Sequence, residues 1–170
     1  MAIDKQIVKD FVSESKNLIH LMISLLEKIE GDFGSVKKLA NYSGIVERVK
    51  IRAGSLVLMV SRDDALNLIA DYADLCKAVS FKASEISKNQ ELFKVCVAFL
   101  LDATETLDFL LDHMDETKED LKKHFSRTFI ERLQWISHQL SHDEKERLGQ
   151  DGDDRLDQND IDALMSKLGL

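Results

Sequence analysis

This chain of 170 residues contains no proline. Proline breaks helices by removing a backbone donor and by clashing with the preceding turn, so its absence leaves every stretch free to run as helix. Glycine, the other interrupter, occurs only seven times. Apolar residues recur at intervals of three and four, with no alternating pattern of the kind a strand needs. The expected fold is therefore all-α with long, uninterrupted helices, and the length suits one domain plus an appendage.

Start and stop signals divide the pattern. A first helix is expected from about Asp4 to Glu30, ending at Gly31, with the stripe Ile7, Phe11, Leu18, Met22, Leu25 and Ile29. Ser35 can cap a second, which continues through Leu39, Ile45, Val49 and Leu56. Gly44 and Gly54 lie inside it; each costs about 1 kcal/mol against alanine, which predicts a close helix approach or access to a nearby side chain. Ser61 with Asp64 opens a third helix with the stripe Leu66, Ile69, Tyr72 (or Ala73) and Cys76. Ser87 with Gln90 opens a fourth, carrying Phe93, Val97, Leu100, Leu101, Leu107 and Leu111. Thr117 with Asp120 opens a fifth over about 118–148, carrying Leu121, Phe125, Phe129, Leu133 and Ile136. Ser141 and Glu144 mark a short continuation or a break in it. Antiparallel helices joined by short loops give a four-helix bundle, here with the fifth helix added, over residues 1–148.

Composition narrows the function classes. A formal charge of −8 without a dense basic stripe argues against nucleic acid as a partner. No apolar run is long enough to span a membrane, and Met1-Ala2-Ile3-Asp4-Lys5 lacks the layout of a signal peptide, so a cytoplasmic protein is expected. Cys76 and Cys96 sit among apolar residues, as buried free thiols in a reducing compartment would. No His, Cys or carboxylate set shows metal-ligand spacing, so no metal is expected. His138 and His142 are four apart, but Ser141 is expected to break the helix between them.

The stretch 149–156 reads as an acidic, Gly-containing linker. Its aspartates lack the glycine and closing glutamate of a calcium loop. Beyond it, residues 157–170 form a unit of their own. Asp157 is a good N-cap, and Ile161, Leu164, Met165 and Leu168 recur at i, i+3, i+4 and i+7. A helix this short is marginal alone in water. Its stripe can lie in a partner's groove or dock on the chain's own bundle; the pattern admits both.

The string Leu156-Asp157-Gln158-Asn159-Asp160-Ile161-Asp162-Ala163-Leu164-Met165 resembles the LSQxEIDALL peptide of the flagellar switch protein FliM. Its place at the C-terminus, ending Leu168-Gly169-Leu170, is similar to the tail of the chemotaxis phosphatase CheZ. Asp157 stands where that peptide has serine, and Met165 where it has leucine. In both families the peptide binds the phosphorylated response regulator CheY. The resemblance implies a CheY-type partner, contacted by Gln158, Ile161, Asp162, Ala163, Leu164, Met165 and Leu168. It implies no cofactor of this chain's own, the only candidate being Mg2+ carried by the regulator.

Residues 5–115 resemble a histidine-phosphotransfer (HPt) domain, as in the chemotaxis kinase CheA. The likeness is carried by Phe11 through Glu30 and by Val46-Glu47-Arg48-Val49-Lys50-Ile51-Arg52-Ala53-Gly54-Ser55-Leu56. Aligned on the family's AHTxKGSA at Gly54-Ser55, the phosphorylated histidine falls at Lys50 and the family lysine at Ala53. Relay needs a neutral imidazole nitrogen as nucleophile, which a protonated amine cannot supply. The resemblance thus implies a docking surface for a response regulator without relay chemistry.

A phosphatase of such regulators holds the attacking water with an amide beside an acid. CheZ does this with an Asp-x-x-x-Gln pair. The CheC and CheX families use Glu-x-x-Asn, and Glu14-Ser15-Lys16-Asn17 fits that spacing, with both side chains on one helix face. Asp64 and Asn67 are a second acid-x-x-Asn match, so the spacing has little specificity. Two functions are expected from the whole: a chemotaxis protein that binds phosphorylated CheY and either hydrolyses its phosphate or sequesters it, or a non-catalytic interaction or structural module of a kinase or flagellar switch. Trp135 and Phe129 either form a homodimer face or finish the core.

Overall fold

Asp4 starts the first helix by accepting a hydrogen bond of 2.7 Å from the Gln6 backbone N–H. This is one of the orphan donors that every helix start must satisfy. The computed structural model describes residues 3–149 and 154–170, with backbone alone for 154–160. Its helices are α1 (Lys5–Ile29), α2 (Leu39–Val57), α3 (Ala65–Ala83), α4 (Gln90–Asp112), α5 (Lys118–Lys122), α6 (Arg127–Leu148) and α7 (Asp154–Leu168). No strand occurs among the described residues. Gly31 ends α1 with φ at +76°, a conformation that favours glycine.

Several starts differ from the sequence expectation. The turn after α1 winds as a 3-10 helix over Phe33–Lys38 before α2 begins. Asp64 itself, and not Ser61, caps α3 by accepting from Leu66 N–H at 2.9 Å. Asn89, and not Ser87, caps α4 by accepting from Leu92 N–H at 3.0 Å. Thr117 does cap α5, exchanging hydrogen bonds with the backbone and side chain of Asp120. The fifth helix is two helices, because Ser126 supplies a second cap within it, accepting from Phe129 N–H at 3.1 Å. The expected break at Ser141 is absent: Ser141 lies buried within α6, which runs unbroken to Leu148.

α1 packs on α2 and α4, α2 on α3, and α3 on α4, so the first four helices close a ring. Two ion pairs, Lys50–Asp74 and Glu47–Lys77, each 2.8 Å, link α2 to α3. Their residue numbers run in opposite senses on the two helices, so the helices are antiparallel. α3 is more than one-sided. It also meets α5, α6 and α7, and 11 of its 19 residues are buried. The single apolar stripe read from its sequence therefore understates it.

Inside the ring, Thr104 Oγ1 donates to the Leu100 carbonyl at 2.6 Å, which leaves Tyr42 OH to donate to Thr104 Oγ1 at 2.7 Å. Tyr72 OH donates to the Ala103 carbonyl at 2.7 Å. Buried hydroxyls need such partners. Phe125 and Phe129 stack on Tyr72, and Phe129 also packs on Phe99 at 5.1 Å between ring centroids. Phe129 thus finishes the core, whereas Trp135 remains 47% exposed. Cys76 and Cys96 are buried free thiols, and burial pushes both up to about 12.

Candidate functional site

α7 starts at Asp154, three residues before the expected cap Asp157, and includes the end of the expected 149–156 linker. Residues 150–153 of that linker lie outside the described residues, as do the side chains of Asp157 and Gln158. The helix packs on α3 and α6. Ile161, Met165 and Leu168 are 1%, 5% and 0% exposed, Leu164 is half-buried, and Asp162 and Ala163 are exposed. The tail is therefore not a free tether. Of the two fates its stripe allowed, the structure takes the home bundle.

Polar contacts fix the register of this docking. Ser137 Oγ on α6 donates to Asp162 Oδ1 at 3.0 Å. Lys167 Nζ lies 3.2 Å from Asp71 on α3, and Lys118 reaches the same carboxylate at 4.0 Å. The helix ends in a Schellman motif: Leu170 N–H donates to the Met165 carbonyl at 2.9 Å, and Gly169 takes φ +77°. Gly169 also passes under the Lys122 side chain, where a Cβ would come within 3.1 Å of Nζ. Ser137, Asp71 and Lys122 were not singled out in the sequence. The faint signal was Ser137 beside Ile136 on an apolar face.

A groove opens beside the docked tail. Lys50 is held by Asp74, and Asp74, Lys77, Ala78 and Phe81 of α3 line this groove of 380 Å3 with Ala163 and Leu164 of α7. Lys50 reaches this groove only through Asp74, which is one of its lining residues. Lys77 also holds the Glu47 carboxyl below its usual range by hydrogen bonding and by charge. Gly54 shows no close approach, since a Cβ there would meet no atom within 4 Å, and the same holds at Gly44. The close helix packing expected at these glycines is not found.

Glu14 and Asn17 stand elsewhere. Both are exposed on α1, and Glu14 is ion-paired with Arg52 of α2. Arg52 and Lys50 are two residues apart, about 200° around a helix, so they leave α2 on opposite sides. The pair is thus not brought to the tail or to Lys50. Its neighbour Lys16 binds Asp108 and Asp112 at 2.7 and 2.8 Å. Burial would lower the Lys16 pKa, but these two carboxylates outweigh it and raise it.

Two of the histidines meet, His113 and His124 packing on Phe109 with their own ring centroids 6.4 Å apart. His113 ends α4 with Nδ1 2.8 Å from the Phe109 carbonyl, and His124 lies 3.6 Å from Glu116. His20, His138 and His142 are exposed. No group of three or more potential metal ligands is found among the described residues. No helix among them is long and apolar enough to cross a membrane.

No protein-family model matches this chain, and neither a curated protein nor a solved structure matches it.

Proposed function

We propose that this protein is a non-catalytic accessory of chemotaxis-type signalling that binds a phosphorylated CheY-type response regulator through α7. The observation that carries the proposal is the register of Gln158, Ile161, Asp162, Ala163 and Leu164 on one helix at the end of an all-α chain. An HPt-like reading of the first four helices would agree with a partner of that class, although fold likeness alone does not assign function. Binding without catalysis is favoured because Lys50 replaces the relay histidine and is ion-paired. Glu14, the acid of the phosphatase spacing, is likewise engaged by Arg52. Mg2+ enters only as the regulator's own metal.

The test is calorimetric titration of a peptide of residues 153–170 into a CheY-type regulator, with and without beryllium trifluoride as phosphoryl mimic. Binding that tightens with the mimic is the expected result. No binding at high micromolar peptide would overturn the proposal.

A further inference from the structure

The apolar residues that would seat α7 on a receiver are the ones its own bundle covers. Ile161, Met165 and Leu168 cannot be buried against α3 and α6 and against a second protein at once. Docking also uses polar groups in the middle of the helix and near its C-terminal end: Ser137 on Asp162, and Asp71 on Lys167. Asp162 is itself one of the residues the receiver would contact. The seat thus occupies both the apolar face and one polar contact of the peptide.

We infer that α7 is a self-held latch, in which the α3–α6 seat competes with the receiver for the same helix face and sets how much regulator the protein captures. This rests on the receiver-binding role proposed above and adds its regulation. If only a fraction of molecules has α7 released, the apparent dissociation constant rises by the reciprocal of that fraction. The latch is weak enough to open, because much of its hold is a three-residue apolar face and two partly exposed polar contacts. Ala163 and Leu164 lie toward the open groove beside Phe81, so part of the peptide is accessible before release.

The experiment compares three species against the same regulator carrying beryllium trifluoride: the free 153–170 peptide, the full chain, and full-length Ser137→Ala and Asp71→Asn. Neither substitution lies in the peptide. The full chain is expected to bind about tenfold or more weakly than the peptide. Each variant is expected to recover about three- to tenfold, the size of one lost side-chain hydrogen bond or ion pair. Equal affinity of peptide and full chain, with both variants unchanged, overturns the latch.

Amide hydrogen exchange at residues 161–168 of the same full-length proteins, without regulator, separates this outcome from failure of the receiver role. If the peptide does not bind but both variants accelerate exchange there and leave α4 unchanged, the receiver role fails, and the competition with it, while the hold of Ser137 and Asp71 on α7 stands. If exchange at 161–168 is the same in both variants as in the parent, the latch fails whatever the peptide does.

Discussion

Lys50 Nζ on α2 lies 2.8 Å from Asp74 Oδ1 on α3 and links the two helices. Both side chains are about one-third exposed, so solvent screens the pair. Lys50→Met is expected to cost less than about 1 kcal/mol, and a double-mutant cycle with Asp74→Asn to give a coupling of about 0.2–1 kcal/mol. Urea denaturation measures both. A cost above about 3 kcal/mol would show that Lys50 holds the α2–α3 hairpin together.

Gly44 and Gly54 sit in helical backbone with open space around the missing Cβ. Alanine at either position should stabilise the protein by about 0.5–1 kcal/mol, through better helix propensity and a less flexible unfolded chain. For a chain of this length that is about 2–4 °C in Tm per kcal/mol. Gly31→Ala should go the other way, because its φ of +76° strains any residue with a Cβ. Thermal unfolding of the three variants checks the contrast.

Alkali should unfold the protein through its thiols. Cys76 and Cys96 ionise near 9 when exposed and at about 12 when buried, because the folded interior disfavours the thiolate. Below pH 9 both states hold the proton and stability is unaffected. Between pH 9 and 12 the unfolded state releases a proton that the native state keeps, so each thiol removes about 1.4 kcal/mol per pH unit. Tyr42 and Tyr72, raised by the same burial, steepen the loss further. Denaturation midpoints at pH 8, 9.5 and 10.5 should fall progressively, and Cys96→Ala should flatten the fall.

Leu168→Ala distinguishes a docked tail from an integral core helix. Emptying a fully buried leucine site generally costs about 2–5 kcal/mol. Leu168 and Leu107 are both 0% exposed, but α7 can leave its seat while the ring of α1 to α4 stays closed. The loss at Leu168 is therefore capped at the docking free energy. Leu107→Ala should lower Tm by clearly more than Leu168→Ala, and only the latter should raise hydrogen exchange selectively at residues 161–168.

Phosphate release from a phosphorylated CheY-type regulator should change by less than about twofold on adding the full chain, and Asn17→Ala should leave it unaltered. The physical reason is the engagement of Glu14 by Arg52, which occupies the carboxylate that a water-positioning pair would need. Acceleration of tenfold or more that Asn17→Ala abolishes would restore a phosphatase role.

Much of the secondary structure was legible because its causes are local. Asp4, Gly31 and Thr117 set helix ends through their own side chains or through glycine's freedom at positive φ. The errors arose where two signals competed within a few residues. Ser61 and Asp64 both qualify as caps, as do Ser87 and Asn89, and which one closes the hydrogen bond depends on how the turn packs. The Ser126 cap leaves no mark in the pattern, because Phe125 and Phe129 keep helical spacing across the break. Ser141 was read as a breaker, although a serine tolerated inside a helix can equally be buried by a neighbouring helix.

Sequence alone establishes that the chain is helical, where α1 begins and ends and where α5 begins, and that residues 161–168 present one apolar face. Such a stripe states that a surface must be covered, because water disfavours it, but burial is non-directional and names no partner. The tertiary structure decided the partner: α3 and α6 offer a complementary trough, with Ser137 and Asp71 placed to meet Asp162 and Lys167. It also decided that Asp74 and Leu164 line one groove while Glu14 pairs with Arg52, since residues far apart in sequence become neighbours only through packing of whole helices.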